Sequence, residues 1–85
     1  MRIVELYPES NWILFIVADD GRIGRFDVRP YLEYEAFEGL RNPDEFMQVF
    51  NGGYVVEWGC GADLSADTIE ARWQVIDQPI TPAIA

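Results

Sequence analysis

Apolar and polar residues alternate most clearly over the first 28 positions, and that alternation predicts strands. Ile3 to Tyr7, Trp12 to Ala18 and Ile23 to Val28 are β-prone runs separated by turn-forming residues. Asp20-Gly21 lies between the second and third runs. A two-residue turn with positive φ favours Asp-Gly, and it would set Asp19 opposite Arg22, Val17 opposite Gly24, Phe15 opposite Phe26 and Ile13 opposite Val28. Reading backwards, Pro8-Glu9-Ser10-Asn11 makes a four-residue loop that places Leu6 opposite Ile13 and Val4 opposite Phe15. Both turns then agree on one core side: Val4, Leu6, Ile13, Phe15, Val17, Phe26 and Val28. The opposite side carries Glu5, Arg25 and Asp27, but also Trp12, Leu14 and Ile16, with Tyr7 facing Trp12 across the first loop. A middle strand that is apolar on both sides needs a cover on its second face, either the rest of the chain or another subunit. Tyr7, Trp12, Leu14 and Ile16 are therefore the expected contact surface, with packing inside the monomer as the competing use of the same side chains.

Beyond the meander the pattern shortens. Arg29-Pro30 ends the third strand, because proline cannot donate to a ladder. Residues 31 to 37 suit a turn of helix or an irregular excursion. Asn42-Pro43-Asp44-Glu45 combines a capping residue, proline at the first helical position and acids in the first turn, which predicts a short helix. Val49-Phe50 and the run Tyr54 to Trp58 flank Asn51-Gly52-Gly53, a second hairpin whose loop could hold two or three residues. Gly59 and Gly61 then allow a change of direction, and Ser65 can cap a helix starting at Ala66. Ile69 and Trp73 would share its inner face, or Arg72 to Ile76 forms a last short strand. The predicted fold is α+β: an N-terminal three-stranded antiparallel meander, a short helix, a second β-hairpin and a short C-terminal helix. Residues 1–77 form one domain, and residues 78–85, with two prolines, a flexible tail.

Composition narrows the chemistry. The 85-residue chain has six arginines, no lysine and 15 acids, a formal net charge of −9. Nucleic-acid backbones are repelled by such a field, so no direct nucleic-acid binding is expected, whereas a basic protein would be attracted. The seven-residue apolar stretch from Trp12 to Ala18 is far below the roughly 20 residues of a membrane span. A cytoplasmic protein with no membrane association is expected.

No histidine is present, which removes the commonest general base and transition-metal ligand. Cys60, between two glycines, has no histidine or lysine to activate it and reads as a turn or buried cysteine. Asp19-Asp20-Gly21 lacks the alternating oxygen ligands of a calcium loop and is already claimed by the hairpin. Gly52-Gly53 and Gly59-Cys60-Gly61 match no phosphate loop. No catalytic residue, cofactor or metal is expected, and the chain is read as non-enzymatic.

Several pieces in order resemble the small bacterial family catalogued as domain of unknown function 2442. They are the N-terminal strand ending near Pro8, the long apolar strand into Asp20-Gly21, GRFDVRPYL at 24–32, Phe37, Leu40, NPDEF at 42–46, Val49, Trp58, Gly61, Asp63-Leu64 and the helix opening at Ser65. The matched span is about residues 1 to 71. The resemblance implies a small α+β unit with no established catalytic activity. Asp20, Gly21, Asp27, Pro30, Trp58, Gly61, Asp63 and Leu64 are family-motif positions with structural roles. Some members carry a C-terminal helix-turn-helix, for which the 14 residues after the matched region are too few; others resemble one partner of toxin–antitoxin pairs.

Two functions follow as expectations. One is an acidic protein-interaction module, antitoxin-like, whose partner is a small basic protein. The alternative is a small-ligand-binding or regulatory sensor domain with a pocket between the meander and the second hairpin. A homo-oligomer is open as well: an edge strand at residues 2–7 or 54–58 could pair across a two-fold axis, unless Arg2, Glu5 and Glu57 protect it.

Overall fold

A computed structural model describes residues 1–76, and the expected tail at 78–85 lies outside the described residues. The fold is α+β. Seven strands are β1 (Ile3–Glu9), β2 (Ile13–Ala18), β3 (Ile23–Asp27), β4 (Val49–Asn51), β5 (Val55–Trp58), β6 (Asp63–Ser65) and β7 (Gln74–Val75). The helices are α1 (Pro43–Phe46) and α2 (Ala66–Arg72), Ser10–Trp12 is a tight turn with left-handed backbone, and short 3-10 turns cover Arg29–Tyr31 and Glu35–Arg41. The strands form two antiparallel sheets, one in the order β1-β2-β3-β7 and one in the order β4-β5-β6.

The Asp-Gly turn forms where expected, but it is one residue longer. Ala18 N–H donates to the Arg22 carbonyl (2.9 Å), Gly21 N–H donates to the Ala18 carbonyl (3.0 Å), and only Gly21 takes a positive φ, of 91°. A three-residue loop, Asp19-Asp20-Gly21, therefore joins β2 and β3, and Phe15 faces Arg25 while Leu14 faces Phe26. Side chains alternate with a period of two, so a slip of one residue turns the whole of β2 over. Leu14 and Ile16 are 0 % exposed, whereas Ile13, Phe15 and Val17 point to the other face. Phe26 and Val28 are buried as expected.

The first loop differs too. β1 runs on to Glu9, with Pro8 accommodated because β1 is an edge strand, and Leu6 pairs with Ile16 instead of Ile13. A bulge at Val4 then puts Ile3 into the core and leaves Val4 exposed.

The connection from β5 repeats the geometry of the first hairpin. Trp58 N–H donates to the Ala62 carbonyl (3.0 Å), Gly61 N–H donates to the Trp58 carbonyl (3.0 Å), and Gly61 has φ 100°. Gly59-Cys60-Gly61 is thus a hairpin loop leading into β6, a strand the sequence pattern did not predict. With β6 in place, β5 (Val55–Trp58) lies between β4 and β6, so the expected edge at 54–58 is a central strand. In the β4–β5 hairpin Gly52 N–H donates to the Val55 carbonyl (2.8 Å), which selects the two-residue loop Gly53-Tyr54.

The helix caps are local chemistry. Asn42 accepts from Asp44 N–H (3.0 Å) ahead of Pro43, and Ser65 accepts from Thr68 N–H (3.1 Å). α2 ends at Arg72, and the chain then adds β7 to β3 through Gly24–Val75 and Arg25–Gln74, so both readings of this segment hold in part. One core joins Leu14, Ile16 and Phe26 of the first sheet to Val56, Trp58 and Leu64 of the second, with Leu40, Phe46 and Ile69 closing it. Trp58 is held by an Nε1–H bond to the Phe46 carbonyl (2.9 Å).

Candidate interaction surface

Because β2 is turned over, the outward side of the four-stranded sheet carries its second apolar row. The cross-strand rows are Glu5–Val17–Ile23, Tyr7–Phe15–Arg25 and Glu9–Ile13–Asp27. Their centre is apolar: Ile13, Phe15, Val17 and Ile23 are half-buried and Tyr7 is 51 % exposed.

Contacts within the face hold these side chains in place. Tyr7 and Phe15 rings lie 6.2 Å apart, and the Arg25 guanidinium sits 5.2 Å over the Phe15 ring. Arg25 Nε donates to Glu9 Oε1 (2.8 Å) and Tyr7 O–H donates to Glu5 Oε1 (2.6 Å). The hydrogen bond to Glu5 and that carboxylate's charge raise the Tyr7 hydroxyl above the usual tyrosine range. Asp27, which accepts from Arg29 Nη2 (2.8 Å), is held below the usual carboxylate range mainly by that side chain. Acids outnumber cations around the apolar centre, where Glu5, Glu9 and Asp27 meet two arginines, Arg25 engaged with Glu9 and Arg29 with Asp27.

Next to this face, Trp12, Pro43, Phe46 and Met47 line an apolar groove of 410 Å3 bounded by Glu9. Asn11 (φ 63°) and Trp12 (φ 60°) are consecutive left-handed residues with side chains, an unfavourable conformation for a bulky residue. It persists because Val28 N–H bonds the Trp12 carbonyl (2.9 Å) and the Trp12 indole N–H bonds the Leu40 carbonyl.

Of the four residues expected to form a contact surface, only Tyr7 lies on the open sheet face. Trp12 is half-buried against the core at the groove. Leu14 and Ile16 are corrected to core residues: the longer Asp19-Asp20-Gly21 loop points them inward. Phe15, Ile13, Val17, Ile23 and Arg25 replace them. The signal for this face was already in the doubly apolar middle strand, but which of its two rows turns outward depended on one residue of loop length.

The family-motif positions occupy turns and core. Asp20 accepts from Arg22 N–H (3.0 Å), which is the main reason its carboxyl lies below the usual range. Asp27 binds Arg29, and Pro30 lies in the 3-10 turn that follows. Trp58 and Leu64 are buried, Gly61 makes the β5–β6 turn, and Asp63 is exposed on β6. Cys60 is exposed at that turn. Among the described residues no group of three or more His, Cys, Asp or Glu is placed to hold a metal, and no helix is long and apolar enough to cross a membrane.

Two small antiparallel sheets around one core, with one sheet face left open, define a small α+β domain. The chain belongs to the family described as Protein of unknown function (DUF2442), whose match covers residues 3–75, from the start of β1 to the end of β7. No curated protein and no solved structure matches it.

Proposed function

We propose that the protein is an acidic interaction module whose open sheet face, centred on Tyr7 and Phe15, docks a basic protein. The observation that carries this reading is the second apolar row of β2, which faces outward while the first is fully packed. A partner with an apolar patch and a basic margin would cover Ile13, Phe15 and Val17 and meet Glu5, Glu9 and Asp27. The net charge of −9 favours such a partner at long range. An antitoxin-like role, neutralising a small basic toxin in the cytoplasm, is the specific form of this function that the family resemblance suggests.

Co-expression with the product of the adjacent gene, followed by co-purification across a salt series, tests it. The expected result is a complex that weakens as salt rises and is lost on Phe15→Ser, while Phe50→Ser on the other sheet leaves it intact. Absence of a complex even at about 50 mM salt, or one indifferent to Phe15→Ser in a variant whose circular dichroism is unchanged, overturns the proposal.

The space between the meander and the second hairpin, where a sensor pocket was expected, is filled by Leu14, Ile16, Phe26, Val56 and Trp58. A ligand reading needs a different site.

A further inference from the structure

Arginines are scarce in this chain, yet three of the six line one cavity of 540 Å3 beside the end of α2: Arg25, Arg29 and Arg72. Among the described residues Asp27 is the single acid that lines it, and Trp73 forms part of its wall. In a chain where acids outnumber arginines by 15 to six, this local inversion of charge is not what a uniformly solvated surface produces.

The three guanidiniums are not equivalent. Arg25 is oriented by Nε and Nη2 bonds to Glu9 (2.8 and 3.3 Å), and Arg29 by Nε and Nη2 bonds to Asp27 (3.0 and 2.8 Å). Each bidentate pair still leaves Nη1 donors unused, since a guanidinium carries five N–H groups. Arg72 makes no ion pair or side-chain hydrogen bond among the described residues. It also walls two adjoining depressions, one beside Tyr31 and Pro30 and the other beside Tyr31 and Tyr34. A cation at the last turn of a helix is ordinarily explained by the helix dipole. That explanation accounts for Arg72 alone and leaves open why two more arginines, held in fixed orientation from β3 and the turn after it, meet it across one cavity.

We propose that this cavity binds a planar organic carboxylate. Arg72, which has no ion-pair partner among the described residues, takes the carboxylate, and the spare donors of Arg25 and Arg29 complete its coordination. The planar body lies along the edge of the half-buried Trp73 indole that Arg22 and Gly24 leave open. The cavity volume falls within the roughly 300–1,000 Å3 range of small-molecule sites. The cavity shares Ile13, Arg25 and Asp27 with the open sheet face, but Arg72 and Trp73 lie outside the rows centred on Tyr7 and Phe15, so a failure read at those two residues would leave the interaction proposal standing.

Titration of the full chain with sodium benzoate, followed by amide, indole and guanidinium NMR signals, tests the assignment. Benzamide and phenyl phosphate serve as the neutral and phosphate comparators. Benzoate should shift the Trp73 indole and Arg72 Nε signals with a dissociation constant in the roughly millimolar range of a fragment this small, and benzamide should not. Arg72→Gln should weaken benzoate at least about fivefold, whereas Arg2→Gln, which removes the same charge outside the cavity, should not. The proposal is overturned by no response at about 20 mM benzoate, by an equal response to benzamide, by unchanged binding in Arg72→Gln, or by tighter binding of phenyl phosphate than of benzoate.

Discussion

The Trp73 indole occupies the space that a side chain on Gly24 would need: a Cβ built on Gly24 falls 2.5 Å from Trp73 Cε3 and 3.0 Å from the Gln74 carbonyl oxygen. This close approach lets the chain leave α2 and pair β7 against β3, which in turn builds the wall of the arginine-lined cavity. Arg22 lies 5.5 Å over the same ring and ties it to Asp20 and Glu70 through ion pairs of 2.8 and 2.6 Å.

Gly24→Ala is therefore expected to destabilise the fold by about 1–3 kcal/mol, as overpacking against a fixed ring does. Urea unfolding measures it. Removing the obstacle in Gly24→Ala/Trp73→Ala should make the double variant less unstable than the sum of the two single changes. Simple additivity would mean that Trp73 does not pack on Gly24.

Trp58→Phe keeps a buried aromatic ring but leaves the Phe46 carbonyl without its indole donor. The expected cost is about 1–3 kcal/mol, read as a lower urea midpoint with an unchanged slope. No loss would show that the bond is replaceable by water.

The Gly59-Cys60-Gly61 loop contains its own control. Neither glycine would meet another atom within 4 Å if given a Cβ, but Gly61 has φ 100° and Gly59 has no positive φ. Gly61→Ala should cost about 1 kcal/mol or more through backbone strain alone, while Gly59→Ala should be neutral or slightly stabilising. Equal melting temperatures for the two variants would contradict the turn geometry.

Acid should weaken the link between the N-terminus, β3 and α2. Glu70 is held below its ordinary value by Arg22 and then by the N-terminal ammonium, and Asp20 by the Arg22 amide. Asp27 is held down by Arg29. A depressed folded-state pKa contributes stability that is fully present above the ordinary carboxylate value of about 4 and is lost as pH falls through the folded value. Melting temperature should thus be level near neutrality and fall below about pH 4, and Glu70→Gln should flatten that fall. A Glu70→Gln profile as steep as the parent's would sink this assignment. The pairs are exposed, so the effect is small and shrinks in high salt.

Local chemistry was readable wherever a few adjacent residues settle it among themselves. Asn42 with Pro43 and Ser65 with Thr68 form caps from their own side chains, and Asp20-Gly21 turns the chain wherever the strands lie. β6 was missed because Asp63-Leu64-Ser65 is three residues long and becomes a strand only when β5 supplies its ladder. The open sheet face was half-legible: Tyr7 and the doubly apolar β2 marked it, but the pattern named Leu14 and Ile16 where Ile13, Phe15 and Val17 face outward.

By itself the amino-acid sequence determined the α+β class, the Asp20-Gly21 reversal and the two helix caps, the acidic field and the absence of histidine chemistry, because each depends on residue type or on neighbours a few positions away. Tertiary structure alone decided which face of β2 is core. Both of its rows are apolar, and Asp19-Asp20-Gly21 suits a two- or a three-residue loop, so the sequence pattern leaves the two registers close in energy. Packing of Leu14 and Ile16 against Val56, Trp58 and Ile69, which arrive from more than 30 residues away, selects one. The same selection turns Phe15 outward and gathers Arg25, Arg29 and Arg72 from distant segments around one cavity.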